Sequence, residues 1–178
     1  MSGVVSNSTP LIYLAKIGRI DLLRAVFGEV FIPQEVKNEV VDKGKLLGEE
    51  DAYIVEKAIS EGWLKVYPNE KIEVPMKLHE GEVAALSLAK KLNIKIVLLD
   101  EVSARSAARL LDLTPRGTVF VLLKAQEKKE IDLDECIEIL NSLIDKGFRL
   151  KEEVYIQTIK EARKIAAQTF STAEFSKR

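Results

Sequence analysis

The sequence is poor in the residues on which several kinds of chemistry depend. Its 178 residues include one cysteine, Cys136, and one histidine, His79. A single thiol cannot close an internal disulfide and suits a reducing compartment. One Cys and one His cannot build a zinc centre of the usual Cys/His type. Ser/His/Asp catalysis would rest on His79 alone, and no nucleophile elbow surrounds a serine. There is no phosphate loop of Gly and Lys, and no GxGxxG after a strand. No apolar run approaches the ~18 residues of a membrane span. No basic segment leads into a long apolar stretch, so no secretory leader is expected and a cytoplasmic setting is. Neither sign of charge dominates: 27 Lys and Arg stand against 28 Asp and Glu, a net charge of −1. Any polyanion must therefore be met by a local patch rather than a global field.

What is present is an alternation of short apolar runs with helical patterns. The length fits one domain of roughly 100–200 residues, able to bury about 70% of its unfolded surface without staples. Abundant charge and few glutamines lean toward a thermophilic source. "GVVS" (Gly3–Ser6) reads as a buried strand. Ser8 or Thr9 then caps a helix with Pro10 in its first turn, ending at Gly18. "RIDLLRAVF" is a second helix closed by Gly28, and "EVFI" (Glu29–Ile32) a second strand. Pro33 starts the helix "PQEVKNEVV"; Gly48–Gly62 is helical, and "LKVY" (Leu64–Tyr67) alternates like a strand. "PNEKIEVPMK" is a loop before the helix "HEGEVAALSLAKKLN" and the buried strand "IKIVLLD". "EVSARSAARLLDL" is a helix, "TPRG" a turn, and "TVFVLLKAQEKKEI" a further helix. Two helical patterns follow, Leu133–Asp145 and Glu152–Ala167, and the tail "STAEFSKR" is expected to fray. The alternation predicts an α/β fold with a parallel sheet covered on both faces.

Ligands of open parallel sheets bind outside the carboxyl ends of the strands. Asn7 follows the first strand; Asp100 follows "IKIVLL", with Glu101 beside it. Each also reads as a helix cap. Glu82 shares its helical row with Leu86 and Ala89 and should face inward. A carboxylate so placed needs a partner or a metal, or serves the helix dipole from the first turn. Glu39 borders the apolar stripe Val36–Val40 and lies in an acidic row with Glu35 and Asp42, which by itself reads as a solvated face. His79 reads as capping or surface, and Gly81 as a tight start to its helix. With other chemistries excluded, carboxylates remain, and hard oxygen ligands around a cleft suit Mg²⁺ or Mn²⁺.

Three stretches together resemble a PIN domain, and more narrowly a prokaryotic PIN-like family still described as uncharacterised. They are "SNSTPLIYLAKIG", "HEGEVAALSLA" and "VLLDEVSARSAARLL"; "TPRGTVFVLLKAQEKKEI" and "GFRL" extend the similarity, which runs from Val4 to Leu150. The resemblance implies a three-layer α/β/α fold with a central parallel sheet of about five strands and additional C-terminal helices. It places a PIN-like domain at 1–150, with a helix and tail at 151–178 packed on the same domain. It also implies a metal-dependent ribonuclease using one or two Mg²⁺ or Mn²⁺ ions, as in the toxin halves of many toxin–antitoxin pairs. Position by position, Asn7, Glu39, Glu82 and Asp100 fall on the catalytic positions. Glu39, Glu82, Asp100 and the adjacent Glu101 fall on metal-ligand positions, and Thr9 on the accompanying Ser/Thr. Asn7 stands where active relatives usually carry the first Asp. Basic residues must reach the RNA backbone. Arg116, in the "TPRG" turn and at the end of an expected strand, is the better candidate; Arg105 also forms an ordinary i,i+4 row with Glu101 and Arg109. RNA, an antitoxin protein and a second copy of the chain are the expected partners. The alternative is a PIN fold with a degenerate site at Asn7, acting as a non-catalytic RNA-binding or protein-interaction module.

Overall fold

The computed structural model describes residues 3–68, 71–74 and 76–175, without the side chains of 169–175. The chain forms two compact units, Met1–Thr118 and Val119–Arg178.

The first unit is built on strands β1 (Val4–Ser6), β2 (Val30–Pro33), β3 (Leu64–Tyr67), β4 (Ile96–Leu98) and β5 (Thr114–Arg116). All four pairings are parallel and the order is β3-β2-β1-β4-β5. Successive side chains on a strand point to opposite faces, and both faces are apolar here. Val5, Phe31, Val97 and Leu99 pack with Ala85, Leu86, Leu88 and Ala89 of α6 (Glu80–Leu92) and Ala104, Ala107 and Ala108 of α7 (Val102–Leu110). Their neighbours Val4, Val30, Ile32 and Leu98 point the other way and are also buried. On that basis the expected parallel α/β sheet, covered on both sides, is what forms.

Helices α1 (Ser8–Lys16) and α5 (Glu50–Ser60) pack on each other, and α2 (Asp21–Phe27) on β2. Gly18, at φ +69, ends α1 as expected: its N–H donates to Ala15 O and that of Arg19 to Leu14 O. Two expectations need correction. Pro33 does not start a helix; it is the last residue of β2, pairs with Tyr67, and is extended at φ −75, ψ 161. The helical stretch after it is α3 (Gln34–Lys37), a π-helix (Asn38–Lys43) and α4 (Gly44–Leu46). "TPRG" is not merely a turn: Thr114–Arg116 form the fifth strand, with Pro115 paired to Val97. Proline lacks a ladder donor, which β5 tolerates because it is an edge strand.

From β1 the chain builds β2 and β3 on one side, then crosses to build β4 and β5 on the other. The crevice for a ligand in such a sheet lies at that reversal, beyond the carboxyl ends of β1 and β4.

The second unit carries α8 (Thr118–Glu127, whose first residue ends the first unit), α9 (Leu133–Asp145) and α10 (Glu152–Phe175). Asp132 caps α9, accepting from Glu135 N at 2.8 Å, while Glu135 accepts from Asp132 N. Gln126 Nε2 donates to Ala162 O at 2.8 Å. Cys136 is buried, which pushes its thiol up to about 11, so it is no thiolate at neutral pH. α10 runs beyond the expected Glu152–Ala167, to Phe175, and the last three residues of the tail, 176–178, lie outside the described ones. Among the described residues no helix is long and apolar enough to cross a membrane.

Candidate functional site

The crevice has a β1 side and a β4 side, tied together by the backbone. Asn7 N–H donates to Leu98 O at 3.1 Å, so the chain leaving β1 is fixed against the end of β4.

On the β1 side, Asn7 has the extended backbone of a helix N-cap (φ −82, ψ 178), but its side chain caps nothing. The residue is 7% exposed, and its Oδ1 is buried with no hydrogen-bond partner. Ser8, the next residue, donates from Oγ to Glu39 Oε2 at 2.6 Å. Thr9 is half-buried on the same turn. Glu39 belongs to the π-helical segment, a local widening that recurs at functional sites. The residue is exposed, and its Oε2 lies close to Gly81 of α6. There Gly81 makes room: a Cβ on Gly81 would lie 3.1 Å from Glu39 Oε2 and 3.4 Å from Asn7 Oδ1. Glu82, one residue on, is 3% exposed, as its row predicted. Its Oε2 accepts from His79 N–H at 2.9 Å, closing the start of α6, so His79 is at the cap as expected.

On the β4 side, Asp100 Oδ1 accepts from Thr118 N–H at 2.9 Å and Oδ2 from Thr118 Oγ1 at 2.7 Å. Burial pushes the Asp100 carboxyl above its ordinary value; the two Thr118 bonds and then the Arg105 guanidinium pull it back, and Glu101 adds a small push upward. Arg105 donates from Nη1 to Leu99 O at 3.3 Å. Its own pKa is lowered, first by burial, then by Arg109, with Asp100 opposing and Arg116 adding to the fall. Arg109 and Arg116 are thus near enough to act on Arg105, and Arg105 in turn acts on Asp100. Arg116 ends β5 and is exposed; Glu101 is exposed at the N-cap of α7.

Asn7, Ser8 and Glu39 therefore converge on Gly81, with Glu82 adjacent, while Asp100 is gripped by Thr118 and flanked by Arg105. Among the described residues no three His, Cys, Asp or Glu side chains come close enough to hold a metal by themselves. The donors nevertheless fit a hard divalent cation in kind. They are carboxylates plus one amide oxygen that is buried without a partner, and Mg²⁺ keeps most of its ligands as water.

Sequence reasoning reads Ser8 only as a cap, Gly81 only as a helix start, and Thr118 not at all. Thr118 follows β5 as Asn7 follows β1, so the strand-end rule would have found it once Thr114–Arg116 was recognised as a strand. The contacts of Ser8 span 31 residues, and no local pattern encodes them.

A family model described as "DUF3368: PIN domain" matches residues 3–164. No curated protein and no solved structure matches the chain.

Proposed function

The chain belongs to the DUF3368 family of PIN domains, and from that premise and its crevice we propose that it is a divalent-metal-dependent ribonuclease hydrolysing RNA phosphodiesters. The observation that carries the reading is the meeting of two kinds of group where the strand order reverses. Hard oxygen donors end β1 and β4, and Arg105 stands beside Asp100. The family's fold is that of nucleases, which supports the reaction class.

Asp100 and Glu39 would hold Mg²⁺ or Mn²⁺, directly or through water, with Glu82 and the exposed Glu101 around them. A divalent cation bound there supplies the positive charge that lets a phosphodiester approach carboxylates, and it lowers the pKa of water. Ser8 holds the Glu39 carboxylate toward the crevice; Thr9 would bond a ligand or a water. Arg116 and Arg105 would meet the RNA backbone. Asn7 contributes an amide oxygen without charge, which weakens cation binding and favours Mn²⁺. A toxin paired with an antitoxin protein, working in the cytoplasm as a homodimer, is the biological setting this reading suggests.

Asn7 also supports a second reading, an RNA-binding or protein-interaction module without catalysis. Single-stranded RNA incubated with the protein and Mn²⁺ separates the two. Cleavage that EDTA stops and Asp100→Asn abolishes supports the nuclease; RNA binding without cleavage supports the module. Cleavage indifferent to EDTA or to Asp100→Asn would refute the proposed site.

A further inference from the structure

We propose that Thr118 is the positioning residue of Asp100: it fixes the plane of that carboxylate and leaves one outward lone-pair direction on each oxygen for a ligand. The proposal rests on the reading of Asp100 as a cation ligand.

Thr118 is fully buried at the start of the helix that follows β5. Its main chain donates to one oxygen of Asp100 and its hydroxyl to the other, at 2.9 and 2.7 Å. The last torsion of an aspartate is otherwise broad, with little to choose between orientations. Two donors from one residue remove that freedom. A carboxylate offers about four lone-pair sites, and Thr118 engages one on each oxygen.

The grip is anchored at its far end. Arg116 pairs with Leu98, and Leu99 N–H donates to Arg116 O at 2.7 Å, so the ends of β4 and β5 cannot slide past each other. Gly117 is what lets the chain come so close. A Cβ there would sit 2.8 Å from Asp100 Oδ1 and 3.1 Å from Arg105 Nη1. A side chain at Gly117 would push the Asp100 carboxylate away from the Thr118 N–H. Merely satisfying a partly buried carboxylate would not need a main-chain donor, a hydroxyl and a glycine in register.

The test compares Mn²⁺ binding by calorimetry, and the electron paramagnetic resonance spectrum of bound Mn²⁺, for wild type, Thr118→Val, Thr118→Ser and Asp100→Asn. Partners that orient metal ligands typically contribute about 10–100-fold in affinity. Thr118→Val should weaken binding by that amount and broaden the spectrum. Thr118→Ser, which keeps the hydroxyl, should restore both. If Asp100→Asn removes binding while Thr118→Val binds like wild type, the inference is overturned and the site reading stands. If Asp100→Asn binds like wild type, the site reading itself falls. Should Thr118→Val not fold, the wild-type protein answers by NMR. Mg²⁺ saturation should move the Thr118 amide resonance, and an amide that stays in place while others shift overturns the inference.

Discussion

At the end of β4 the Asp100 carboxylate has a donor on each oxygen; at the end of β1 the Asn7 amide oxygen is buried with none. Both residues follow strands of the same sheet, and a backbone hydrogen bond joins the two strand ends. The first group is held by the protein alone. The second is left short of a partner, at a cost of about 1–3 kcal/mol for a buried polar atom. Buried unsatisfied groups in otherwise well-bonded folds call for a functional account. Here a bound cation or an incoming donor would supply what the protein withholds. On the proposed reading the β4 side is preorganised and the β1 side would be completed by what binds.

Asp100→Asn breaks the contrast most severely. It should abolish Mn²⁺ binding and any metal-dependent cleavage, read by calorimetry and by RNA hydrolysis. It should also stabilise the metal-free protein at neutral pH. Burial raises the Asp100 carboxyl in the folded state, so the folded chain takes up that proton more readily than the unfolded one. The resulting stability is fully present below the ordinary carboxylate range and is lost as pH rises through the raised value. Thermal melts should therefore show the variant's advantage at pH 7 and little of it at pH 3.

Ser8→Ala comes next. It removes the donor on Glu39 Oε2 and should weaken Mn²⁺ binding by roughly tenfold or more. Unchanged affinity would mean that Glu39 needs no help to reach the crevice. Asn7→Asp works in the opposite direction. An added unit charge within a few Å of a cation in partly wet surroundings is worth at least about 1 kcal/mol. Binding should tighten by at least about fivefold, while the metal-free protein loses stability from repulsion with Glu39. A titration with no gain would remove Asn7 from the site. Gly81→Ala is the smallest and most diagnostic change. Alanine is the better helix former by about 1 kcal/mol, so melting should not suffer much. The added methyl crowds Glu39 Oε2 and Asn7 Oδ1, so binding should drop by about fivefold, an overpacking cost of about 1 kcal/mol.

Much of the fold is legible in the sequence because its signals are local. The apolar runs at Val4–Ser6 and Ile96–Leu98 and the glycine stop at Gly18 each declare an element within a few residues. β5 is legible only in part: Arg116 reads as a strand end but "TPRG" as a turn, and the edge position of β5 is what accommodates Pro115 within the strand. The site divides in the same way. Asn7 and Asp100 are found by the rule that ligands lie beyond strand ends, and Glu82 by its helical row. Ser8, Gly81 and Thr118 act through contacts with residues 18 or more positions away, or through space left empty, and neither leaves a pattern along the chain. Glu39 stands between these cases: its own helix reads as a solvated face, and only the fold brings its tip to Ser8.

If the proposed site is right, the two sides of the crevice share one divalent ion. A crystal soaked in Mn²⁺, with data collected for anomalous scattering, tests this directly. One anomalous peak is expected beyond the ends of β1 and β4, coordinated by Asp100 and by the Asn7 and Glu39 oxygens, directly or through water. A peak elsewhere, or none at a saturating Mn²⁺ concentration, would contradict it.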